Sequence, residues 1–147
     1  MPGAIPALSH RMRPLLAAGR SMLMQPYLPS VDRSGETSLV YIAGAFSHAF
    51  RKGPLLPLGS GSTAALFAAE EITARIPGAD ELAVGGQILA GIPFKDLLYA
   101  RIDLIRGAQG EPRVLELELT EPSLYFQHGA GSAAKLAQAT LARLASA

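Results

Sequence analysis

The chain has 147 residues, 49% of them hydrophobic, with no cysteine and a formal net charge of +1. That length suffices for one domain with a sizeable core. The near-neutral charge argues against a nucleic-acid partner, and the lack of cysteine excludes disulfides and thiolate metal sites. Without a signal peptide pattern or an apolar run near the roughly 18 residues of a membrane span, we expect a cytoplasmic protein with no membrane partner.

The first part of the chain is rich in proline. A short helix is predicted over Ala7–Arg20, as the main feature of a leading segment that is otherwise irregular. Ser21–Leu28 reads as a strand, and because Pro26 lacks an amide hydrogen this strand should lie at a sheet edge or end there. Pro29–Gly35 is a polar turn.

The middle of the chain predicts a first hairpin and a loop. Glu36–Ala43 and Ala45–Arg51 alternate as two strands on either side of a glycine turn. Gly53–Thr63 is glycine-rich, but no Gly-Lys-[Ser/Thr] run follows, so it is a flexible surface loop or a lid rather than a Walker A loop. Ala64–Arg75 is compatible with a helix.

Two further helices are predicted in the second half. Ala79–Ala90 reads as a helix that Gly85 and Gly86 weaken. Ser132–Ala147 is a strong amphipathic helix, for which Ser132 is a good N-cap residue.

The most informative stretch, Leu98–Glu121, predicts a second hairpin. Polar and apolar residues alternate on both sides of Gly107–Pro112, a segment with two glycines and a proline. The two strands bring one arginine and three acids to nearby positions: Arg101, Asp103, Glu116 and Glu118.

Converging acids on one sheet face repel one another and call for a compensating cation. Mg²⁺ prefers oxygen ligands, is held by one or two carboxylates, and takes its other ligands from water and phosphates. Arg101 lies on the same strand face as Asp103 and has the charge to neutralise a phosphoryl group. The alternative is an amphipathic hairpin with a solvated acidic face.

The Arg-Ile-Asp run that ends at Asp103, followed by a turn and by Glu116-Leu-Glu118, resembles the metal-binding end of the ATP-grasp superfamily. D-alanine–D-alanine ligase and glutathione synthetase belong to that superfamily. The resemblance implies that Asp103 and Glu116 hold Mg²⁺ and that Arg101 contacts the reacting phosphate. Glu118 stands where many members have Asn, and it is expected as the third ligand, with Glu121 as the alternative.

The resemblance extends upstream, through MQPYL and GETSLVYIAGAFSHAFRK. It implies that Glu36 contacts the ribose hydroxyls and that Lys52, or else Arg51, reaches the nucleotide phosphates. The alternative for Glu36 is a solvated turn residue, and for Lys52 or Arg51 a solvated strand end; for Tyr27 and Leu28, which the resemblance places in the adenine hinge, it is ordinary core packing. The implied adenine hinge consists of Gln25, Pro26, Tyr27 and Leu28.

The resemblance covers the carboxy-terminal half of such an enzyme. We therefore expect residues 1–147 to form one partial ATP-grasp domain, with residues 1–20 as the leading helix and irregular segment. The implied fold is α+β, an antiparallel sheet with helices on one face. The chain would then be a truncated, remnant or split form of a longer enzyme.

The implied function is that of an ATP- and Mg²⁺-binding domain of a carboxylate–amine ligase, acting on a carboxylate and an amine that the sequence does not identify. The alternative is a non-catalytic fragment that binds nucleotide weakly or only dimerises. Half a cleft leaves an apolar face exposed, which favours a homodimer.

Overall fold

A computed structural model of the chain describes residues 4–54 and 70–146. In these residues five strands form one antiparallel sheet. The strands are β1 Glu36–Ile42, β2 Ala45–Lys52, β3 Ile72–Ala74, β4 Tyr99–Arg106 and β5 Pro112–Glu118. Their order across the sheet is β3-β2-β1-β4-β5, so β1 is central and both predicted hairpins are confirmed.

Helices flank the sheet, which confirms the α+β class. They are α1 Ala4–Ala17, α2 Ser30–Ser34, α3 Ala79–Gly91 and α4 Ser132–Ala145, with a 3₁₀ turn at Phe126–His128. None of the helices in the described ranges is long and apolar enough to cross a membrane.

One face of the sheet packs against α3. Leu39 and Tyr41 of β1 and Ile102 of β4 are buried there, against Leu82 and Ile88 of the helix. These side chains form the larger of the two buried clusters because alternate residues of neighbouring strands share a face.

The opposite face packs against α4 over part of its area. Val40 and Phe50 are fully buried there, with Leu124 beside them and Leu136 of α4 packed on top. The helices therefore lie on both faces, which corrects the expected arrangement on one face. The physical reason is that β1 is central and apolar on both sides, so each face needs a cover.

The region before β1 differs from the prediction. Ser21–Leu28 has no regular structure, so the predicted strand is wrong. Pro26 cannot donate to a ladder, and both edges of the sheet are formed by other strands. The predicted turn at Pro29–Gly35 contains α2, which ends at Gly35 with φ +64°, a conformation that glycine adopts without strain.

The segment after β2 is also different where it is described. Ile72–Ala74 pairs with β2 as a strand, opposite Phe50 and Lys52, so the helix predicted over Ala64–Arg75 is wrong there. The free backbone groups of β2 favour a strand at this edge over local helix propensity. The rest of that helix (64–69) and residues 55–63 of the predicted lid lie outside the described residues.

The terminal helices have shifted bounds. α1 begins at Ala4 and ends at Ala17 with Pro14 inside it, so it starts and ends earlier than predicted. In α4 the N-cap is Gly131 at φ +74°, and Ser132 is already the first helical residue. The Ser132 hydroxyl instead donates to the Gly129 carbonyl at 2.6 Å, so its assignment as N-cap was wrong.

Candidate functional site

The second hairpin places the predicted acids directly opposite each other. Asp103 of β4 is the cross-strand partner of Glu116, and Arg101 is the partner of Glu118. A β-bulge follows this pair, so Leu104 lies opposite Val114. The alternation in the sequence predicts that these residues lie near one another, whereas the bulge, which simple alternation does not anticipate, sets the register that puts Glu116 opposite Asp103.

Three carboxylates converge at this point. Asp103, Glu116 and Glu118 each offer an oxygen within 4.8 Å of the others. Asp103 is fully buried, Glu118 is half-buried and Glu116 is exposed, so the group opens towards solvent on one side. An all-oxygen, all-carboxylate donor set with an open side fits Mg²⁺, which keeps several water or phosphate ligands.

Arg101 fixes the buried carboxylate. Its Nε donates to Asp103 Oδ1 and its Nη2 to Asp103 Oδ2, both at 3.0 Å. Nη2 also contacts Glu118, and Nη1 donates to the Ser123 carbonyl at 3.0 Å. The guanidinium is therefore held from three sides, which gives it a fixed position beside the acids.

Lys52, the last residue of β2, reaches the same carboxylate. Its Nζ donates to Asp103 Oδ2 at 2.6 Å and lies 3.4 Å from Glu36 Oε2. Burial is the largest influence on the lysine and acts to lower its pKa. The hydrogen bond and the charge of Asp103 outweigh it, so the pKa of Lys52 is raised and the ammonium stays charged.

Glu36, the expected ribose contact, is the first residue of β1 rather than a turn residue. Burial raises the pKa of Glu36 above its ordinary value, against the pull of Lys52. Burial also raises the pKa of Glu118, against the pull of Arg101. Both shifts show that carboxylates are crowded here into a partly dry environment.

We call this group the acidic cluster. It contains four carboxylates and two cations, an excess of two formal negative charges among its members. The members are Glu36, Lys52, Arg101, Asp103, Glu116 and Glu118. Such an excess at a half-open site is a place where a bound cation is stabilising.

The expected hinge residues line a cleft that ends at the acidic cluster. The cleft has a volume of about 690 Å³, and Glu36 and Glu116 lie in its wall. Its other lining residues include all four of the expected hinge: Gln25, Pro26, Tyr27 and Leu28. The Tyr27 hydroxyl donates to the Asp32 carboxylate at 2.6 Å, which ties this irregular segment to α2. The cleft thus brings together the expected hinge residues, the expected ribose contact Glu36 and one of the three expected metal ligands, Glu116.

Glu121, the alternative third ligand, is exposed and lies outside the group of three carboxylates. Its φ of +48° belongs to the left-handed region, at the start of the loop that leads to Ser123. Glu118 is the acid that the hairpin places beside Asp103 and Glu116.

One residue of the site was missed by the sequence reasoning. Ser38 of β1 is fully buried on the site face and is the cross-strand partner of Asp103. Its hydroxyl has no hydrogen-bond partner within residues 4–54 and 70–146. The signal in the sequence was a serine at an inward position of an otherwise apolar strand, two residues after Glu36.

Comparison with known proteins identifies relatives. No protein-family model matches the sequence. The cycloserine biosynthesis protein DcsG of Streptomyces lavendulae is 42% identical over 148 residues, which cover 96% of this chain and 48% of DcsG. The crystal structure of D-cycloserine synthetase DcsG matches with a TM-score of 0.76 and 41% identity, over 96% of this chain and 48% of that one.

A weaker likeness exists to the ATP complex of D-alanine–D-alanine ligase from Bacillus anthracis. The TM-score is 0.46 at 18% identity, over 71% of this chain and 37% of that one, and it supports no conclusion by itself.

The five-stranded antiparallel sheet with its helices agrees with the α+β fold that the ATP-grasp resemblance in the sequence implies. The particular protein that it matches over this fold is DcsG, and the chain spans about half of that protein's length. That the matching half is the carboxy-terminal one stays a prediction.

Proposed function

We propose that this chain is an ATP- and Mg²⁺-binding domain of an ATP-grasp carboxylate–amine ligase, incomplete as it stands. The observation that carries the proposal is the position of the acidic cluster at the end of the 690 Å³ cleft. Three carboxylates, a fixed arginine and a lysine lie near a partly apolar cleft. This arrangement favours a site for the polyphosphate end of a nucleotide over an amphipathic hairpin whose acidic face is only solvated.

The nucleoside would occupy the cleft wall formed by residues 25–28. Backbone groups of an irregular segment are free to bond an adenine edge, and apolar side chains flank its ring. Glu36 would accept the ribose hydroxyls, since a carboxylate offers several acceptor sites.

The phosphates would lie against the acidic cluster. Asp103, Glu116 and Glu118 would hold Mg²⁺, which when bound neutralises phosphate charge. Arg101 would contact the transferring phosphoryl group, and Lys52 would balance the remaining charge. These assignments rest on the resemblance, on the 4.8 Å grouping of the carboxylates and on the contacts of both cations with Asp103.

The reaction of the whole enzyme would have two steps. A substrate carboxylate oxygen attacks the γ-phosphorus of ATP, which forms an acyl phosphate and releases ADP. A nitrogen nucleophile then attacks the acyl carbon, loses a proton, and expels inorganic phosphate. Arg101 and Lys52 would stabilise the charge on the phosphoryl oxygens in the first step.

The acceptor class follows from the relative. DcsG is described as a D-cycloserine synthetase, and D-cycloserine contains an acyl–nitrogen bond within its ring. A small amino-acid derivative with a carboxylate and a nitrogen nucleophile is therefore the first substrate class to test.

The second candidate is a non-catalytic fragment that binds nucleotide weakly or dimerises. The chain covers 48% of DcsG, so the other contacts of a full nucleotide cleft have no counterpart in the matched region. A homodimer, a cytoplasmic location and the lack of nucleic-acid or membrane partners stay predictions from the sequence.

The experiment is calorimetry of the purified chain with the non-hydrolysable analogue AMPPNP, with and without Mg²⁺, together with its mass in solution. The proposal requires binding that depends on Mg²⁺. A dimeric mass with binding would point to a second copy that completes the cleft. A folded protein that does not bind AMPPNP would support the second candidate.

Two single variants locate the metal within this experiment. Asp103→Ala and Glu116→Ala should each abolish Mg²⁺-dependent binding, because each removes one of the three ligands. Glu121→Gln is the matched control, an acid a few residues along the chain that lies outside the cluster, and it should have a smaller effect. Unchanged binding in both alanine variants would show that Asp103 and Glu116 are not Mg²⁺ ligands.

A further inference from the structure

Lys52 lies between two acids of the proposed nucleotide site. Its Nζ is 2.6 Å from Asp103 and 3.4 Å from Glu36, and the side chain is only 11% exposed. The ammonium therefore lies between Glu36, the expected ribose contact, and Asp103, the most buried of the expected metal ligands. A cation bound at Asp103 would lie close to this positive charge.

The carboxylate of Asp103 is already well supplied with donors. Oδ1 accepts from Arg101 Nε, and Oδ2 accepts from both Arg101 Nη2 and Lys52 Nζ. A divalent ion at Asp103 would share one carboxylate with two cations. Like charges at such short separations repel strongly, so a bound divalent ion favours displacement of one of the two cations.

Of the two, Lys52 is the one able to move. Arg101 is held by Asp103, by Glu118 and by the Ser123 carbonyl, with a planar group that fits all three. Lys52 is bound through a single nitrogen on a flexible stem, and Glu36 already stands 3.4 Å away as a second partner.

Ser38 provides independent support for a second arrangement. Its buried hydroxyl, without a partner in the described part of the chain, lies opposite Asp103 in the sheet. Cross-strand neighbours have their Cβ atoms about 4.5–5.5 Å apart, which puts the hydroxyl within reach of the carboxylate. The Ser38 hydroxyl can therefore donate to Asp103 once the Lys52 ammonium has moved away. A buried hydroxyl without a hydrogen-bond partner otherwise lowers the stability of the fold.

We propose that Lys52 couples metal binding to nucleotide binding. Without nucleotide, its ammonium neutralises Asp103 and opposes a divalent ion. A polyphosphate offers the ammonium another anionic partner, which frees Asp103 for the metal. Metal and nucleotide then increase each other's affinity by the same factor, as linkage demands. This inference rests on the proposed function, because it assumes that phosphates reach Lys52.

The experiment measures metal affinity without nucleotide, using Mn²⁺ as a paramagnetic ion that takes the same oxygen ligands. Lys52→Met removes the charge, and Lys52→Gln removes it while keeping a donor for Asp103, should the methionine variant fold poorly. Either should bind Mn²⁺ about tenfold more tightly than the natural chain, since a nearby like charge is gone. Lys52→Arg keeps the charge and should stay close to the natural affinity.

The matched control is Lys95→Met, which removes an exposed lysine that bonds only the Ala90 carbonyl in the described residues and does not belong to the acidic cluster. Its Mn²⁺ affinity should not change. The second measurement repeats each titration with saturating AMPPNP. In the natural chain AMPPNP should raise Mn²⁺ affinity, and in the two uncharged Lys52 variants this gain should shrink towards onefold.

The outcomes separate the inference from the proposed function. Unchanged or weaker Mn²⁺ binding in folded Lys52→Met and Lys52→Gln, with AMPPNP bound normally by the natural chain, overturns the inference alone and makes Lys52 a structural ion-pair residue. A natural chain that binds Mn²⁺ but no AMPPNP overturns the proposed function and the coupling together. Tighter Mn²⁺ binding in the uncharged variants with loss of the AMPPNP effect supports the inference.

Discussion

Two clusters of charged side chains lie on opposite faces of the same two strands. The acidic cluster lies on one face of β1 and β4, at the end of the cleft. On the other face, the buried Glu81 of α3 accepts from the Thr37 hydroxyl at 2.8 Å and from the Gly78 amide at 2.7 Å. Arg106 and Arg75 lie 3.0 Å and 3.4 Å from the same carboxylate.

The two clusters differ in net charge. Around Glu81, two acids (the second is Asp80, which contacts Arg106) face two arginines, and the central carboxylate is 1% exposed. The acidic cluster has two more acids than cations and an exposed member, Glu116. A neutral cluster around a buried carboxylate joins a helix to a sheet, whereas a cluster with excess negative charge is a place where a bound cation is stabilising.

The largest expected effect is on the neutral cluster. Glu81→Ala leaves Arg106, Arg75, the Thr37 hydroxyl and the Gly78 amide without their shared acceptor. Removal of one partner of a buried charge pair costs about 3–5 kcal/mol, so the free energy of unfolding in urea should fall by that order. If the free energy of unfolding fell by less than about 1 kcal/mol, the cluster around Glu81 would not be the more important of the two for stability.

The contact between α3 and the sheet gives the next largest effect. A Cβ at Gly85 would lie 2.2 Å from the Tyr41 hydroxyl and 2.9 Å from Leu39 Cδ1, so Gly85→Ala should destabilise by about 1–3 kcal/mol. Gly86, the next residue, has nothing within 4 Å of that position. Gly86→Ala should therefore stabilise by about 0.5–1 kcal/mol, as expected for an exposed helical site. Thermal unfolding of the Gly85→Ala and Gly86→Ala variants tests whether the first is destabilised and the second stabilised. Equal effects in both variants would contradict the close contact of Gly85 with Tyr41 and Leu39.

A smaller effect on stability is expected in the acidic cluster. Glu116→Gln removes one of the crowded charges at an exposed position, so the free energy of unfolding should stay within about 0.5 kcal/mol or rise. Mg²⁺-dependent AMPPNP binding should be lost in the same variant. Both are measured on one preparation, and a variant that unfolds like Glu81→Ala would make the cluster a structural one.

The smallest expected effect is a pH dependence of the free energy of unfolding, caused by His48 on the α4-covered part of the sheet face that carries the acidic cluster. Burial is the main cause that lowers the pKa of His48 below its ordinary value, against the effect of its bond to the Leu124 carbonyl at 2.8 Å. The unfolded chain then binds a proton at higher pH than the folded one. Stability is fully present above the unfolded pKa of about 6.5 and falls as the pH drops towards the folded value.

Urea unfolding at about pH 7.5 and pH 5.5 tests this, with His48→Gln as the reference that retains a donor for Leu124. The natural chain should lose more stability between the two pH values than the variant. An equal loss in both proteins would show that other groups produce the pH dependence.

The sequence by itself determined both hairpins and the set of acids. Period-2 alternation in β1, β2, β4 and β5 is a local pattern, and a hairpin places its own residues opposite each other over a short distance along the chain. For that reason the nearness of Asp103 to Glu116 and Glu118 was predictable from the local pattern, although the bulge sets the register that puts Glu116 directly opposite Asp103. The resemblance to ATP-grasp proteins rested on the same local runs.

Only the tertiary structure decided which residues join those acids and where the helices lie. Lys52 reaches Asp103 across β1, a contact between residues 51 positions apart that no local pattern encodes. The strand at Ile72–Ala74 and the irregular segment at Ser21–Leu28 depended on which sheet edge was free, not on propensity. The cover of both faces by separate helices followed from the central position of β1, because a strand buried on both sides must be packed on both sides.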